Sequence, residues 1–402
     1  MKVEIVVGAN YGDEGKGLFT DFLCRKSFNA LVMLSNGGCQ RGHTVNTRKY
    51  GRKVFQHYGS GTFQNAPTYF TQDFLLNPMQ WVREHDELTS IMGQVPECSY
   101  SPDCMFQIPS DIFMNRLFED LRGDKRHGSV GCGIFETIRR YRANFPESKK
   151  FYDFLSLSFK EKKEYVKEFQ ETYVKGQISD FAWNELKIPL EDVEAFVKKQ
   201  MHDTELGKIF FSDGMIEHFC RDCEFMGEKC QSIYDWIIAD RYDTLIYEQG
   251  QGLLLDPMMR RKEDVDDTTP SHPGTYQIKQ DLINFEWNGV EISSVTVNYI
   301  TRTYLTKHGA GNFLADPTMH FEDKTNMPNP YQGTMRFAKL NYEDLFERIN
   351  VDFSRFTSYS LISKRQIEKN IVYTHTNEVP VSEYYKASGK YFFDTDISED
   401  LA

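Results

Sequence analysis

The β-rich run Val3-Glu4-Ile5-Val6-Val7 opens directly into Gly8-Ala9-Asn10-Tyr11-Gly12-Asp13-Glu14-Gly15-Lys16-Gly17, and residues 18–25 then read as a helix. A strand, a glycine-rich turn and a helix in that order point to an α/β fold with an anion site. The free N–H groups at the helix start and the helix dipole both favour negative charge there. Glycine lets the backbone approach a ligand closely, and Lys16 adds a point charge suited to phosphate. The loop is not a Walker A loop. Counting back from Gly15-Lys16, the first glycine of that pattern falls on Asn10, and no Ser or Thr follows Lys16. Nor does Gly-x-Gly-x-x-Gly fit, which argues against a dinucleotide enzyme. Asp13 and Glu14 would repel a phosphate. A carboxylate at that place makes sense as a Mg²⁺ ligand or as a proton acceptor beside a transferring phosphate. The plainer alternative is a strand–helix turn with two solvated acids.

A second apolar run over 29–34 ends in Ser35-Asn36-Gly37-Gly38-Cys39-Gln40-Arg41-Gly42-His43-Thr44. A histidine between glycine and threonine can move a proton near neutral pH, although a lone histidine more often makes a structural hydrogen bond. Two such loops at successive strand ends favour the ligand-binding reading, because ligands collect at the carboxyl ends of strands in open α/β sheets. Further buried strands are expected at 243–247 and 295–300. Short, nearly continuous apolar runs separated by helices indicate a mostly parallel central sheet flanked by helices. Residues 147–219 are rich in Lys, Glu, Phe and Tyr at helical spacing and read as a helical insertion within a single domain spanning 1–402. Its aromatics, among them Phe151, Tyr152, Phe154, Phe159 and Tyr165, suit core or dimer contacts better than base stacking.

The 402 residues carry a net charge of −12, which argues against a broad nucleic-acid footprint. No apolar stretch reaches the 18 or so residues of a membrane span. Eight scattered cysteines without a secretory signal indicate a reducing, cytoplasmic compartment. His218, Cys220, Cys223 and Cys230 have metal-ligand chemistry, but no second Cys-x-x-Cys accompanies them, so reduced structural cysteines are the expectation.

Gly12-Asp13-Glu14-Gly15-Lys16-Gly17 resembles the signature of the adenylosuccinate synthetase family, and Gly37-Gly38-Cys39-Gln40-Arg41-Gly42-His43-Thr44 is similar to its Gly-Gly-x-Asn-Ala-Gly-His-Thr. Weaker likenesses follow in family order. They are His127-Gly128-Ser129-Val130-Gly131-Cys132-Gly133, Tyr247-Glu248-Gln249-Gly250-Gln251-Gly252 with Leu253 to Asp256, Lys307-His308-Gly309-Ala310-Gly311, and Gln332-Gly333-Thr334-Met335-Arg336. The resemblance implies a ligase that joins L-aspartate to C6 of a purine nucleoside monophosphate through a 6-phosphoryl intermediate, driven by a nucleoside triphosphate. Asp13, His43 and Gln251 would be catalytic, with Asp13 taking the N1 proton and His43 steadying the developing charge. Gly12, Glu14, Gly15, Lys16, Gly17, Gly42 and Thr44 would hold the triphosphate. Asn36, Gln40, Arg41, Ser129, Val130, Leu255, Thr268 and Thr269 would meet the purine nucleotide, and Thr334 and Arg336 the aspartate. Mg²⁺ would sit on Asp13 and the Gly42 carbonyl. The family also implies a homodimer, with Arg139, Arg140 or Arg142 reaching the neighbouring site.

Four departures bear on substrate. Gln40-Arg41 replaces Asn-Ala, Cys132 replaces an arginine and Val130 a threonine, and Thr334 replaces an arginine near the ribose. The Thr-Lys-Leu-Asp segment whose acid reads guanine is not evident, and the nearest candidate, 358–364, has no acid. A carboxylate matches guanine's N1 and N2 donors, so its loss points away from strict GTP use and toward ATP or dATP. Viral relatives join aspartate to dGMP. They often alter the aspartate of the glycine loop, which this chain keeps, so IMP and dGMP both stay open as acceptors. A non-catalytic nucleotide sensor is the alternative from another class.

Overall fold

The computed structural model describes residues 1–143, 148–259, 271–309, 311–326, 328, 333–358 and 366–394. Nine strands form one sheet: β1 (Lys2–Gly8), β2 (Ala30–Leu34), β3 (Thr68–Phe70), β4 (Cys98–Tyr100), β5 (Gln231–Ser232), β6 (Thr244–Gly252), β7 (Ser294–Arg302), β8 (Gln366–Thr374) and β9 (Tyr391–Phe392). Their order across the sheet is 9-8-7-1-6-2-3-4-5, and every neighbouring pair is parallel. The expected strands at 243–247 and 295–300 are the cores of β6 and β7.

Parallel strands are covered on both faces, so alternate residues of one strand must enter two different cores. Val6, Val32, Leu34, Ile246 and Ile300 pack on one side with α1 (Lys16–Lys26), α2 (Pro109–Arg122) and the helix Asp213–Lys229. Val3, Ile5, Val7, Leu31, Met33, Leu245 and Tyr247 pack on the other with helices Tyr276–Trp287 and Tyr342–Thr357. Each such side chain, fully buried, contributes about 1.5–3 kcal/mol relative to exposure.

Between β4 and β5 the chain is mainly helical, and helices fill the described part of the segment read as an insertion. Phe151 and Phe154 are fully buried against Tyr100, Phe106 and Phe219, whereas Tyr152 is exposed. Cys220 and Cys223 are buried in the same core. Among the described residues no helix is long and apolar enough to cross a membrane, and no group of three or more His, Cys, Asp or Glu could hold a metal.

The register at β1 locates the site. Val6 faces Glu248 of β6, but the next aligned pair is Gly8 with Gly252, so β6 carries extra residues between them. Such bulges re-aim side chains at sheet ends, and here Gln251 takes the left-handed backbone, φ 63°. The loops after β1, β2, β6, β7 and β8 all leave from the carboxyl end of the sheet.

Candidate active site

These loops enclose a cavity of about 1120 Å³. That exceeds the usual range for a single small ligand and gives room for more than one. The glycine loop forms its floor. Gly12 (φ 120°) and Gly15 (φ 88°) turn with backbone angles that disfavour a side chain, and α1 starts at Lys16. Glu14 is buried and folds back into the loop. Its carboxylate accepts from the N–H groups of Asn10 and Gly12, both at 2.9 Å, and from Lys16 Nζ at 3.1 Å. Glu14 therefore shapes the loop and orients Lys16, and it also lines the cavity. A Cβ on Gly8 would lie 2.4 Å from the Glu14 carboxylate, so the fold-back requires glycine there.

Asp13 also adopts the left-handed conformation, φ 61°. His308 Nε2 lies 3.1 Å from its Oδ2, and Arg302 donates to its main-chain carbonyl at 2.6 Å. Burial alone would raise the Asp13 carboxyl. The His308 hydrogen bond and charge, with Lys16 and Arg302, outweigh burial and hold it well below the usual carboxylate range. The group is thus an anion at neutral pH, available to accept a hydrogen bond or a proton. Arg302 continues to Asp323 at 2.7 Å and to the Tyr304 hydroxyl at 2.9 Å.

The second loop runs into a hairpin, His43–Thr47 with Gly51–Phe55, which fixes His43. His43 Nδ1 sits 2.8 Å from Glu248 Oε1, and Arg41 Nη2 lies 3.2 Å from Glu248 Oε2. Glu248 is fully buried and also accepts from the Ser60 N–H at 3.1 Å and from the Ser60 hydroxyl. Burial would raise this carboxyl, but His43, Arg41 and Ser60 bring it down to about 2. Burial pushes the His43 ring down to about 4 against the pull of Glu248. Arg41 is therefore the standing counter-charge of Glu248, and His43 is neutral at neutral pH. Nδ1 has two neighbours, the Glu248 carboxylate, which only accepts, and Arg41 Nη2 at 2.9 Å, which only donates. A proton on Nδ1 satisfies the first and leaves Nε2 to accept at the cavity that His43 lines, and a proton on Nε2 satisfies the second and leaves Nε2 to donate there. Beside it, both polar atoms of the Gln40 amide are buried with no hydrogen-bond partner among the described residues.

The third loop, residues 127–133, is held by α2. Glu119 accepts from the N–H groups of His127, Gly128 and Ser129 at 3.2, 2.8 and 3.3 Å. Asn115 and the Ser129 hydroxyl bond each other at 3.0 and 3.2 Å, and Asn115 also accepts from the Gly133 N–H. Val130 is exposed on the cavity wall.

Gly12, Asp13, Gly15, Lys16, Gly17, Gln40, Arg41, Gly42, His43, Thr44, Ser129, Val130, Gln251 and Leu255 all line this one cavity. Four of the residues singled out in the sequence, Asn36, Arg336, Thr334 and Arg140, do not line it. Asn36 is buried in a reciprocal clasp with Gly250, donating to its carbonyl at 3.0 Å and accepting from its N–H at 2.7 Å, and does not line the cavity. Arg336 donates to the carbonyls of Gly309 and Gly311 at 2.9 and 3.4 Å and, like Thr334, lies off the cavity wall. Arg140 is fully buried against Asp111 at 2.8 Å and cannot reach a neighbouring molecule, whereas Arg139 lines the cavity. Thr268 and Thr269 lie outside the described residues, as do 359–364 of the segment examined for a base reader.

Sequence reading passed over three things. Glu248 carried a signal, since an acid inside an otherwise apolar strand must have a partner. His308 had none beyond its loop. The loop Thr374-His375-Thr376-Asn377 was also missed, although it starts at the end of β8, lines the cavity through His375 and Asn377, and is tied to the glycine loop by Thr374 Oγ1 donating to the Glu14 carbonyl at 2.8 Å. Its Thr-x-x-Asn spacing matches the family's base-reading Thr-Lys-Leu-Asp, with an amide in place of the acid.

The fold is similar to that of adenylosuccinate synthetase from Plasmodium falciparum, with a TM-score of 0.60 at 15% identity over 92% of this chain and 76% of that one. It is similar also to the cyanophage S-2L succinoaminodeoxyadenylate synthetase bound to dGMP and dATP, with a TM-score of 0.61 at 11% identity over 100% and 95% of the two chains. In sequence, the adenylosuccinate synthetases of Symbiobacterium thermophilum and Lactobacillus johnsonii are 30% and 32% identical over 134 and 137 residues, 33% of this chain. The chain thus spans about a third of the length of these relatives, 31% in each case. The family model for adenylosuccinate synthetase matches residues 5–211, just over half of the chain, and the chain belongs to that family.

Proposed function

We propose that the chain is a ligase that joins L-aspartate to C6 of a purine nucleoside monophosphate at the expense of a nucleoside triphosphate. The observation that carries this reading is the convergence of an ionised Asp13, a Glu248-backed His43 and the Lys16 helix start on one large cavity. In this reading Asp13 accepts the N1 proton of the acceptor, which leaves negative charge on the six-oxygen. That oxygen attacks the γ-phosphorus. Lys16 and the N–H groups at the start of α1 steady the phosphates, and positioning supplies most of the acceleration. Neutral His43 donates from Nε2 to the six-oxygen, in the tautomer whose Nδ1 accepts from Arg41 Nη2. Aspartate's amino group then displaces inorganic phosphate from C6.

The Asp13 carboxylate and the Gly42 main chain, both at the cavity, are the hard oxygen donors that would hold Mg²⁺, with substrate phosphates and water as its further ligands. Bound there, Mg²⁺ would neutralise charge on the phosphates.

The Asn377 amide presents both a donor and an acceptor, which suits the edge of adenine better than the two donors of guanine. ATP or dATP is therefore the favoured triphosphate. The cyanophage neighbour bound to dGMP and dATP makes dGMP an acceptor to set beside IMP. The unpartnered Gln40 amide is the group that would meet that nucleotide. We infer a homodimer in the cytoplasm, with Arg139 or Arg142, both exposed, reaching a neighbouring site. Phosphate release, with IMP and dGMP each crossed against GTP, ATP and dATP at saturating aspartate and Mg²⁺, tests the reading. Aspartate-dependent release with an adenine triphosphate is expected. Tight binding of nucleotides with no release in any combination would refute the ligase and support the sensor.

A further inference from the structure

Of the eight cysteines, Cys132 alone is not buried, and it lies on the cavity wall in the third loop. Cys39, in the second loop, is buried behind it at 5% exposure, and the two thiols are side-chain neighbours. One side chain braces both. Cys39 Sγ donates to Gln107 Oε1 at 3.2 Å, while Gln107 Nε2 donates to the Cys132 carbonyl at 2.6 Å. Cys39 and Cys132 come from segments 93 residues apart, yet both loops line the nucleotide cavity. Neither thiol has a part in the proposed reaction.

We propose that Cys39 and Cys132 are a redox modification site, forming a disulfide that ties the second loop to the third and stops turnover. The oxidant class is a small-molecule disulfide such as glutathione disulfide. The Cys132 thiolate attacks one sulfur of the oxidant, breaking its S–S bond and expelling one thiolate. Cys39 gives its proton to that thiolate and attacks the Cys132 sulfur, forming the Cys39–Cys132 bond and expelling the second thiolate. Two protein thiols are oxidised and one disulfide is reduced to two thiols, so electrons and protons balance. The roles follow from the surroundings. The neighbouring Cys39 side chain, opposed by burial and helped by the Arg116 charge, lowers the Cys132 thiol, while the Cys132 side chain and burial hold Cys39 well above the ordinary thiol range. The thiolate form attacks, so the exposed Cys132 enters and the buried Cys39 resolves. A disulfide in a reducing compartment is characteristically transient and of this sensing kind.

Joining the sulfurs brings them from non-bonded contact to about 2 Å, a shift on the order of 1–2 Å shared between the loops. It also takes from Gln107 Oε1 the donor that Cys39 supplies. His43 is four residues from Cys39, and a misplacement of about 1 Å at such a group can cost roughly 100-fold in rate.

The loss of turnover rests on the ligase reading; the bond itself does not. The test treats the full chain with glutathione disulfide, maps its cysteines by alkylation and mass spectrometry, and measures phosphate release before and after dithiothreitol. The expected result is a peptide cross-linked through Cys39 and Cys132 and a fall in turnover of about 100-fold that the reductant reverses. Cys39→Ala should stop at a glutathione adduct on Cys132, and Cys132→Ser should stay unmodified at position 39. A lasting adduct on Cys132 in the unaltered chain with Cys39 still free would overturn the proposal. So would a cross-link that leaves turnover unchanged. A cross-link that forms in a chain silent in both redox states would uphold the bond and sink the ligase reading instead.

Discussion

Replacing Glu248 by glutamine probes the least exposed charged group of the site. Its two oxygens take contacts from His43 Nδ1, Arg41 Nη2 and both the N–H and the hydroxyl of Ser60, and no part of it meets solvent. Glutamine keeps the shape and one accepting oxygen. Its amide nitrogen must then face a donor, either His43 or Arg41. Arg41 already has its Nε and Nη1 buried without hydrogen-bond partners among the described residues, so the lost charge leaves a cation uncompensated in the interior. Breaking a buried pair costs about 3–5 kcal/mol. Hydrogen bonds kept by glutamine return about 1 kcal/mol each, so the net loss should be about 3 kcal/mol. Turnover should fall further than stability explains. An amide N–H facing His43 removes the carboxylate that holds the ring and Arg41 in place, and loss of correctly placed acid–base function costs about 10²–10⁴ in rate. Urea unfolding gives the first quantity, and kcat for phosphate release on the folded fraction gives the second. A variant within about 0.5 kcal/mol and twofold of the unaltered chain, against the larger effects expected of a buried charge pair, would refute this account of the Glu248 cluster.

Other perturbations test neighbouring parts. Asp13→Asn retains a residue type that tolerates the left-handed backbone, so folding should hold while kcat drops by at least about 100-fold; near-normal turnover would remove Asp13 as the proton acceptor. Gly17→Ala puts a Cβ about 3.0 Å from His43 Cβ, Ser60 Oγ and the Thr44 carbonyl, and overpacking of this kind costs about 1–3 kcal/mol. It should lower kcat by displacing His43, and a crystal structure with His43 unmoved would contradict that. Glu136 is buried with Oε2 unpartnered, and burial pushes its carboxyl up to about 8 from the ordinary 4.5. The folded state therefore holds a proton that the unfolded chain releases. Stability should fall by up to about 1.4 kcal/mol per pH unit between those two values and then level off. Glu136→Gln should abolish that slope in thermal melts taken from pH 4 to 9, and an unchanged slope would assign it elsewhere.

What could be read in the sequence followed local rules. An apolar run, a glycine turn and a helix at 2–26 state their own structure, and the second loop repeats the apolar run and the glycine turn but leads into a hairpin. Strand β8 was missed because its first half, Gln366-Ile367-Glu368-Lys369, is largely exposed and polar, leaving only Ile371-Val372-Tyr373 as an apolar signal. The hairpin carrying His43 lies outside the main sheet and has no apolar run of its own. Asn36 and Arg336 were placed by likeness, but their polar atoms are taken up by Gly250 and by the carbonyls of Gly309 and Gly311. Glu119 reads as one more helix charge until the fold puts three N–H groups of the third loop on it. Such partnerships join residues far apart in the chain, which periodicity and spacing do not register.

The central claim is that the six-oxygen of the acceptor is phosphorylated before aspartate displaces it. An acceptor nucleotide labelled with ¹⁸O at that position, incubated with triphosphate, Mg²⁺ and ¹⁵N-aspartate, tests it directly. The account predicts that the ¹⁸O leaves in the inorganic phosphate while the ¹⁵N appears at C6 of the product. Phosphate free of ¹⁸O, or label kept on a purine that has gained no nitrogen, would contradict it.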